Sequence, residues 1–145
     1  MPIMSRDLDM SFIEMYADGA SRSNPGPSGI GVVIYKNKEE IYTISEYIGT
    51  KTNNEAEYLA LLKGLSYLIG EGEKFVNCFL DSKLVVEQAK GNFAVKAKNL
   101  IPLNQDLKSL SSQFNEINFF HVPREQNARA DELANEGIDN SKGSE

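Results

Sequence analysis

Hydrophobic positions along this chain switch between two spacings, and each switch marks an element. Phe12 to Ala17 reads as a strand, and after the Gly-, Pro- and Ser-rich link Asp18 to Ser28 comes a second, Gly29-Ile-Gly-Val-Val-Ile-Tyr35, rich in β-branched residues. The polar stretch Lys36-Asn-Lys-Glu-Glu40 has hairpin length, so Ile41 to Ile48 is a third strand and the three form an antiparallel meander. The spacing then lengthens: Tyr58, Leu61, Leu65 and Leu68 recur at three and four residues, and Gly70 and Gly72 close an amphipathic helix. Phe75 to Leu80 returns to a strand. Ser82 to Lys90 has helical spacing at Leu84, Val85 and Gln88 and stops at Gly91, while Leu100, Leu103, Leu107, Leu110 and Phe114 form the clearest helical stripe. Ile117 to Val122 is a fifth strand broken by Pro123. Asn127 is placed to cap a last helix ending at Gly137, which leaves Asn140 to Glu145 as a frayed polar tail.

The order βββαβααβα, with no linker, repeat or low-complexity block, predicts an α/β fold: a mixed five-stranded sheet flanked by helices. It is read as one domain over residues 10–138 with short polar termini at 1–9 and 139–145, and 145 residues suffice for a single core. With 41% hydrophobic and 25% charged residues, disorder and fibrous repeats are excluded. No apolar run approaches the roughly 20 residues of a membrane span, and Met1 to Asp9 is too polar for a signal peptide. A soluble, cytoplasmic monomer with no membrane partner is the expectation. The single cysteine, Cys78, lies in an apolar strand with no partner for a disulfide or a zinc site, and reads as a buried thiol.

Charge at first opposes a nucleic-acid partner, because 15 basic residues face 21 acidic ones, net −6. The position of certain acids alters that view. Asp18 closes the first strand and Asp81 directly follows the fourth; if these strands are parallel neighbours, the two carboxylates converge beyond their carboxyl ends. Taken singly, each is equally a turn or cap residue. In Thr52-Asn-Asn-Glu55-Ala-Glu57 two capping boxes compete, Thr52 with Glu55 and Asn54 with Glu57. The two glutamates point about 200° apart on a helix, so only one can face a site. Asp131 lies one turn into the last helix, where Ala128, Ala130 and Ala134 suggest close packing on the sheet and a solvated first-turn acid is the plainer alternative. Together, four acids at the ends of four elements describe an oxygen-ligand cluster suited to Mg²⁺ or Mn²⁺. Two such ions, roughly 3.5 to 4 Å apart, activate a water and stabilise the leaving oxygen in phosphodiester hydrolysis.

The spans Tyr16-Ala-Asp18-Gly-Ala-Ser-Arg-Ser-Asn24-Pro-Gly26, Thr52-Asn-Asn-Glu-Ala-Glu57-Tyr, Leu80-Asp81-Ser82 and Asn127-Ala-Arg-Ala-Asp131-Glu-Leu-Ala134 resemble, in order and spacing, the four signature blocks of type 1 ribonuclease H. The likeness runs from Phe12 to Gly137. It implies an endoribonuclease that hydrolyses the RNA strand of RNA·DNA hybrids with two Mg²⁺ ions, Mn²⁺ substituting, and leaves 5′-phosphate and 3′-hydroxyl ends. It assigns Asp18, Glu57, Asp81 and Asp131 as the catalytic metal ligands and leaves Glu55 to the capping box with Thr52. By the same resemblance Asn24 and Asn54 read 2′-hydroxyls in the minor groove, for which a side-chain amide both donates and accepts. Thr52 would hold a phosphate of the DNA strand, and Ser82 and Lys83 would touch substrate.

Two departures stand out. Gly91 to Asn99 is too short for the basic handle that many members insert, so Lys90, Lys96 and Lys98 form either a smaller phosphate patch or an ordinary solvated face. The loop before Asp131, where classical members carry a mobile histidine, reads Pro123-Arg124-Glu125-Gln126. Arg124 stays charged, so it can bind a phosphate or a product but cannot shuttle protons. The one histidine, His121, falls inside the last strand, where an edge or structural role is expected. The missing handle leaves open a same-fold nuclease that also cuts double-stranded RNA. A binding module without catalysis is disfavoured by the presence of all four acids, and a Mg²⁺ phosphatase for small molecules gives Asn24 and Asn54 nothing to do. Placing four of the acids at a metal site turns the expectation from weak nucleic-acid binding into binding that needs divalent ions and falls steeply with salt.

Overall fold

The computed structural model describes residues 12–143; the polar terminus predicted at 1–9 and residues 144–145 lie outside them. Strands β1 (Ile13–Ser21), β2 (Gly26–Lys36), β3 (Glu39–Lys51), β4 (Phe75–Leu80) and β5 (Glu116–His121) form one sheet in the order β3-β2-β1-β4-β5. Helices α1 (Asn53–Gly70), α2 (Lys83–Ala89), α3 (Ile101–Ser111) and α4 (Ala128–Gly143) complete it, with a 3₁₀ turn at Arg124–Asn127 leading into α4. The order is the predicted βββαβααβα. β1, β2 and β3 pair antiparallel, whereas β1 with β4 and β4 with β5 pair parallel, so the sheet is mixed.

The period-2 pattern of β2 explains both layers. Ile30, Val32 and Ile34 join Met15, Tyr58, Leu61 and Leu65 in the main core under α1, while Val33 packs with Ala130 and Leu133 of α4 on the opposite face. β2 is therefore buried through most of its length. Helix α4 approaches so closely that a side chain at Gly31 would fall on the Ala130 carbonyl oxygen, which is why small residues recur on both elements. On the other face the Tyr58 hydroxyl donates to Gln88 Oε1 at 2.7 Å and accepts from Asn104 Nδ2 at 3.2 Å, tying α1, α2 and α3 together through a buried polar knot. Cys78 is buried as expected. Among the described residues, no helix is long and apolar enough to cross a membrane.

Three differences from the sequence reading have physical causes. β1 does not stop at Asp18; its ladder with β2 continues to Ser21 opposite Ser28, while its ladder with β4 ends at Tyr16 opposite Phe79. Gly137 does not end the last helix, because its missing side chain lets α4 pass over the backbone of Glu46, where a Cβ would lie 2.6 Å from the carbonyl oxygen. The helix runs on to Gly143, held by fully buried Ile138, so residues 140–143 are helical rather than frayed. Asn127 does not cap α4. Its Nδ2 donates to the Ala17 carbonyl at 3.0 Å, and its buried Oδ1 accepts no helix N–H.

Candidate metal centre

Between β1 and β4 the chain leaves the sheet in opposite directions, toward β2 on one side and through α2 and α3 to β5 on the other. Such a switch point opens a crevice beyond the strands' carboxyl ends. Asp18 sits just past the point where β1 parts from β4, and Asp81 is the first residue after β4. Glu57 arrives from α1, whose start is set by a complete capping box: Thr52 Oγ1 accepts from the Glu55 N–H at 3.1 Å, and Glu55 Oε1 accepts from the Thr52 N–H at 2.8 Å. Glu55 thus serves the cap and Glu57 turns inward, where its Oε1 accepts from the Gly19 N–H at 2.8 Å. Gly19 allows this contact, because a side chain there would fall on the α1 backbone at Ala56 and Glu57.

Asp18, Glu57 and Asp81 each offer an oxygen within 4.8 Å of the other two. Asp18 and Glu57 are both only 5% exposed. Burial, joined by hydrogen bonding and repulsion from Glu57, drives the Asp18 carboxyl far above its ordinary range. Burial also raises Glu57, although contact with Asp18 and the Gly19 N–H oppose it. Asp81 is raised by burial too, against the favourable pull of the Asn127 amide and the Arg124 charge. Glu57 Oε2 is buried without a partner. Three carboxyls made uncomfortable as anions in one crevice, one with an orphaned oxygen, fit a bound cation, and an all-oxygen donor set suits the hard ions Mg²⁺ and Mn²⁺. Asp131 lies outside this trio yet within hydrogen-bonding reach of Asp18.

The crevice opens into a cleft of about 540 Å³. Of the residues singled out from sequence, Asp18, Asn54, Glu57, Asp81, Ser82, Arg124 and Asp131 line it. Thr52 stands behind as the α1 cap, Asn24 Oδ1 accepts from the Asn53 N–H at 2.9 Å, and Lys83 and Lys96 are exposed outside the cleft wall. Ser82 also caps α2 by accepting from the Val85 N–H at 3.3 Å. His121 is exposed at the end of edge strand β5, opposite Leu80, as the strand reading expected. The sequence reading missed Arg22, Asn53 and Asn135, which line the cleft, and the inward role of Asn127. The one available signal was the four-residue spacing that puts Asn135 above Asp131 on a helix.

Residues 16–137 match the family described as Reverse transcriptase-like. The crystal structure of RNase H1 from Halobacterium salinarum superposes with a TM-score of 0.86 at 36% identity, covering 88% of this chain and 98% of that one. The chain belongs to the type 1 ribonuclease H family. LC11-RNase H1, solved in complex with an RNA/DNA hybrid, is similar at 42% identity and a TM-score of 0.84, covering 89% of this chain and 98% of that one. The bifunctional protein Rv2228c of Mycobacterium tuberculosis is 42% identical over 125 residues, 85% of this chain; the chain spans about a third of that relative's length, 34%. The connection between α2 and α3 runs only from Lys90 to Leu100. Asn99 from that connection reaches the Glu55 carboxylate, which the Thr52 backbone N–H, the Thr52 hydroxyl and this amide together hold below its usual range.

Proposed function

We propose that this chain is a metal-dependent endoribonuclease that hydrolyses the RNA strand of RNA·DNA hybrids, giving 5′-phosphate and 3′-hydroxyl ends. The observation that carries the reading is the carboxylate trio of buried Asp18 and Glu57 and half-buried Asp81 at the switch point, with Asp131 beside it. Asp18, Glu57, Asp81 and Asp131 would hold two Mg²⁺ ions, or Mn²⁺ in their place, and the bound ions supply an activated water and neutralise charge on the leaving oxygen. The protein's own residues do the positioning. Gly19 and the capping box keep Glu57 aimed at Asp18, and Asn127 restrains Asp81. Asn54 in the cleft and Asn24 at its margin present amides to the 2′-hydroxyls, the group that separates RNA from DNA. Thr52 and Lys96 take phosphates of the DNA strand, Ser82 and Lys83 flank the cut strand, and Arg124 steadies a phosphate or the departing product.

The short connection between α2 and α3 favours one further possibility, acceptance of double-stranded RNA. A single assay decides among these: end-labelled hybrid, RNA duplex and DNA duplex are digested in parallel with Mg²⁺, with Mn²⁺ and with chelator. Metal-dependent scission of the RNA strand of the hybrid, with 5′-phosphate ends, is the expected result. An intact hybrid under every metal condition refutes the assignment, and matching cleavage of the RNA duplex establishes the broader specificity.

A further inference from the structure

Asp131 lies beside the trio without being part of it, and a chain of side chains holds it there. Asn135, one turn further along α4, donates from Nδ2 to the Asp131 carbonyl at 3.0 Å and to Asp131 Oδ1 at 3.3 Å. Arg22, in the link after β1, donates from Nη2 to Asn135 Oδ1 at 3.1 Å and to the Asn135 carbonyl at 3.5 Å, while its Nη1 pairs with Asp139 at 2.8 Å. A guanidinium has donors only, so the amide oxygen of Asn135 must face Arg22 and its NH₂ must face Asp131. Arg22 therefore determines which way the amide points. Asp131 in turn receives an oriented neutral donor instead of a cation, which leaves its carboxylate charge available to a metal. Both Arg22 and Asn135 line the cleft that Asp131 lines.

We propose that Arg22 and Asn135 are positioning residues, a relay that presents the Asp131 carboxylate to a divalent cation beside the trio. The inference rests on the metal-binding role proposed above for Asp131. It also links two parts of the site: Arg22 lies two positions before Asn24, and its backbone N–H closes the link by donating to the Pro27 carbonyl at 2.9 Å. The loop proposed to touch the ribose is thereby fastened to the helix that carries the fourth acid.

The test is a Mn²⁺ titration of the whole chain without nucleic acid, followed by calorimetry, for wild type, Asn135→Ala, Arg22→Gln and Asp131→Asn. Melting temperatures and the Mn²⁺ dependence of hybrid cleavage are recorded on the same samples. Removing an outer partner of a metal ligand typically costs about 10- to 100-fold in affinity. Asn135→Ala is expected to weaken the Asp131-dependent Mn²⁺ site about tenfold and to move the half-saturating Mn²⁺ for cleavage by the same factor. Arg22→Gln is expected to move both in the same direction by about threefold, since the amide remains but loses its fixed orientation. Alanine suits a helix interior, so Asn135→Ala should fold, and Arg22→Gln tests the relay from outside the helix. A purely structural role would lower melting temperature and leave the metal midpoint in place. If Asp131→Asn weakens Mn²⁺ binding while Asn135→Ala and Arg22→Gln do not, the relay is overturned and the metal role of Asp131 stands. If Asp131→Asn leaves binding unchanged, that role falls and the relay with it.

Discussion

Replacing Asp18 by asparagine should abolish metal-dependent cleavage and, in the same molecule, make the metal-free protein more stable. Asp18 is 5% exposed and shares its crevice with Glu57 and Asp81, oxygens within 4.8 Å of one another. Two unit charges at that separation repel by about 3 kcal/mol at an effective dielectric constant near 20, and burial adds to the cost. The carboxyl pKa values of Asp18, Glu57 and Asp81 are all raised by folding. The native state therefore keeps protons that the unfolded chain releases. Stability in chelator is fully present below the ordinary carboxylate range and is lost as pH rises from that range toward the raised values. Asparagine cannot ionise, and its amide nitrogen can donate to the orphaned Glu57 Oε2.

Because the native carboxyl must either hold its proton or bear the repulsion, and asparagine does neither, the net gain near pH 8 is about 2 kcal/mol, or roughly 5–10 °C in melting temperature for a domain of this size. The assay is thermal melting by circular dichroism at pH 5 and pH 8, each with EDTA and with Mg²⁺. Wild type should lose stability from pH 5 to pH 8 in EDTA and regain it with Mg²⁺. The variant should show a flatter pH dependence, a higher melting temperature at pH 8 in EDTA, and little response to Mg²⁺. A variant that melts at or below wild type at pH 8 in EDTA would refute the electrostatic argument, whatever its activity.

Other substitutions probe the supports of the site. Gly19→Ala drives a methyl into the α1 backbone at Ala56 and should destabilise the fold by about 3 kcal/mol in urea titration; a loss under about 1 kcal/mol would mean the contact relaxes easily. Tyr58→Phe strips Gln88 and Asn104 of their shared partner, at an expected cost of about 1–3 kcal/mol, and an unchanged denaturation midpoint would show the knot to be dispensable. His121→Ala should keep cleavage within a few-fold of wild type, because the ring is exposed at the end of an edge strand. General acid–base groups contribute about 10²- to 10⁴-fold, so a loss of about a hundredfold would return His121 to the chemistry.

How far the site was legible depends on the reach of each residue's partners. Local geometry showed only that one of Glu55 and Glu57 could face a site; two capping boxes competed, the resemblance to the ribonuclease H blocks selected Glu57, and the structure closes the box between Thr52 and Glu55. The convergence of Asp18 and Asp81 was legible only as a condition, parallel adjacency of two strands, which the β1–β4 register meets. Asn127 was misread as a cap because its actual acceptor, the Ala17 carbonyl, lies 110 positions away. The bond from Arg22 to Asn135 spans 113 positions, and no local periodicity encodes it. Gly137 misled for a related reason: a glycine that ends helices in isolation is here a point of close passage over β3.

Periodicity, breakers and caps act over a few residues, so the sequence alone determined the succession of strands and helices, the rule that only one of Glu55 and Glu57 could face a site, and the supply of four acids at element ends. Proximity and burial depend on packing between distant segments. Only the tertiary structure decided that three of those acids share one crevice while Asp131 waits beside it, that burial holds Asp18, Glu57 and Asp81 above their usual titration range, and that Arg22, Asn127 and Asn135 pack around the four. A carboxylate's chemistry is set by its surroundings, and those surroundings arise only when the sheet brings β1 and β4 side by side under α1 and α4.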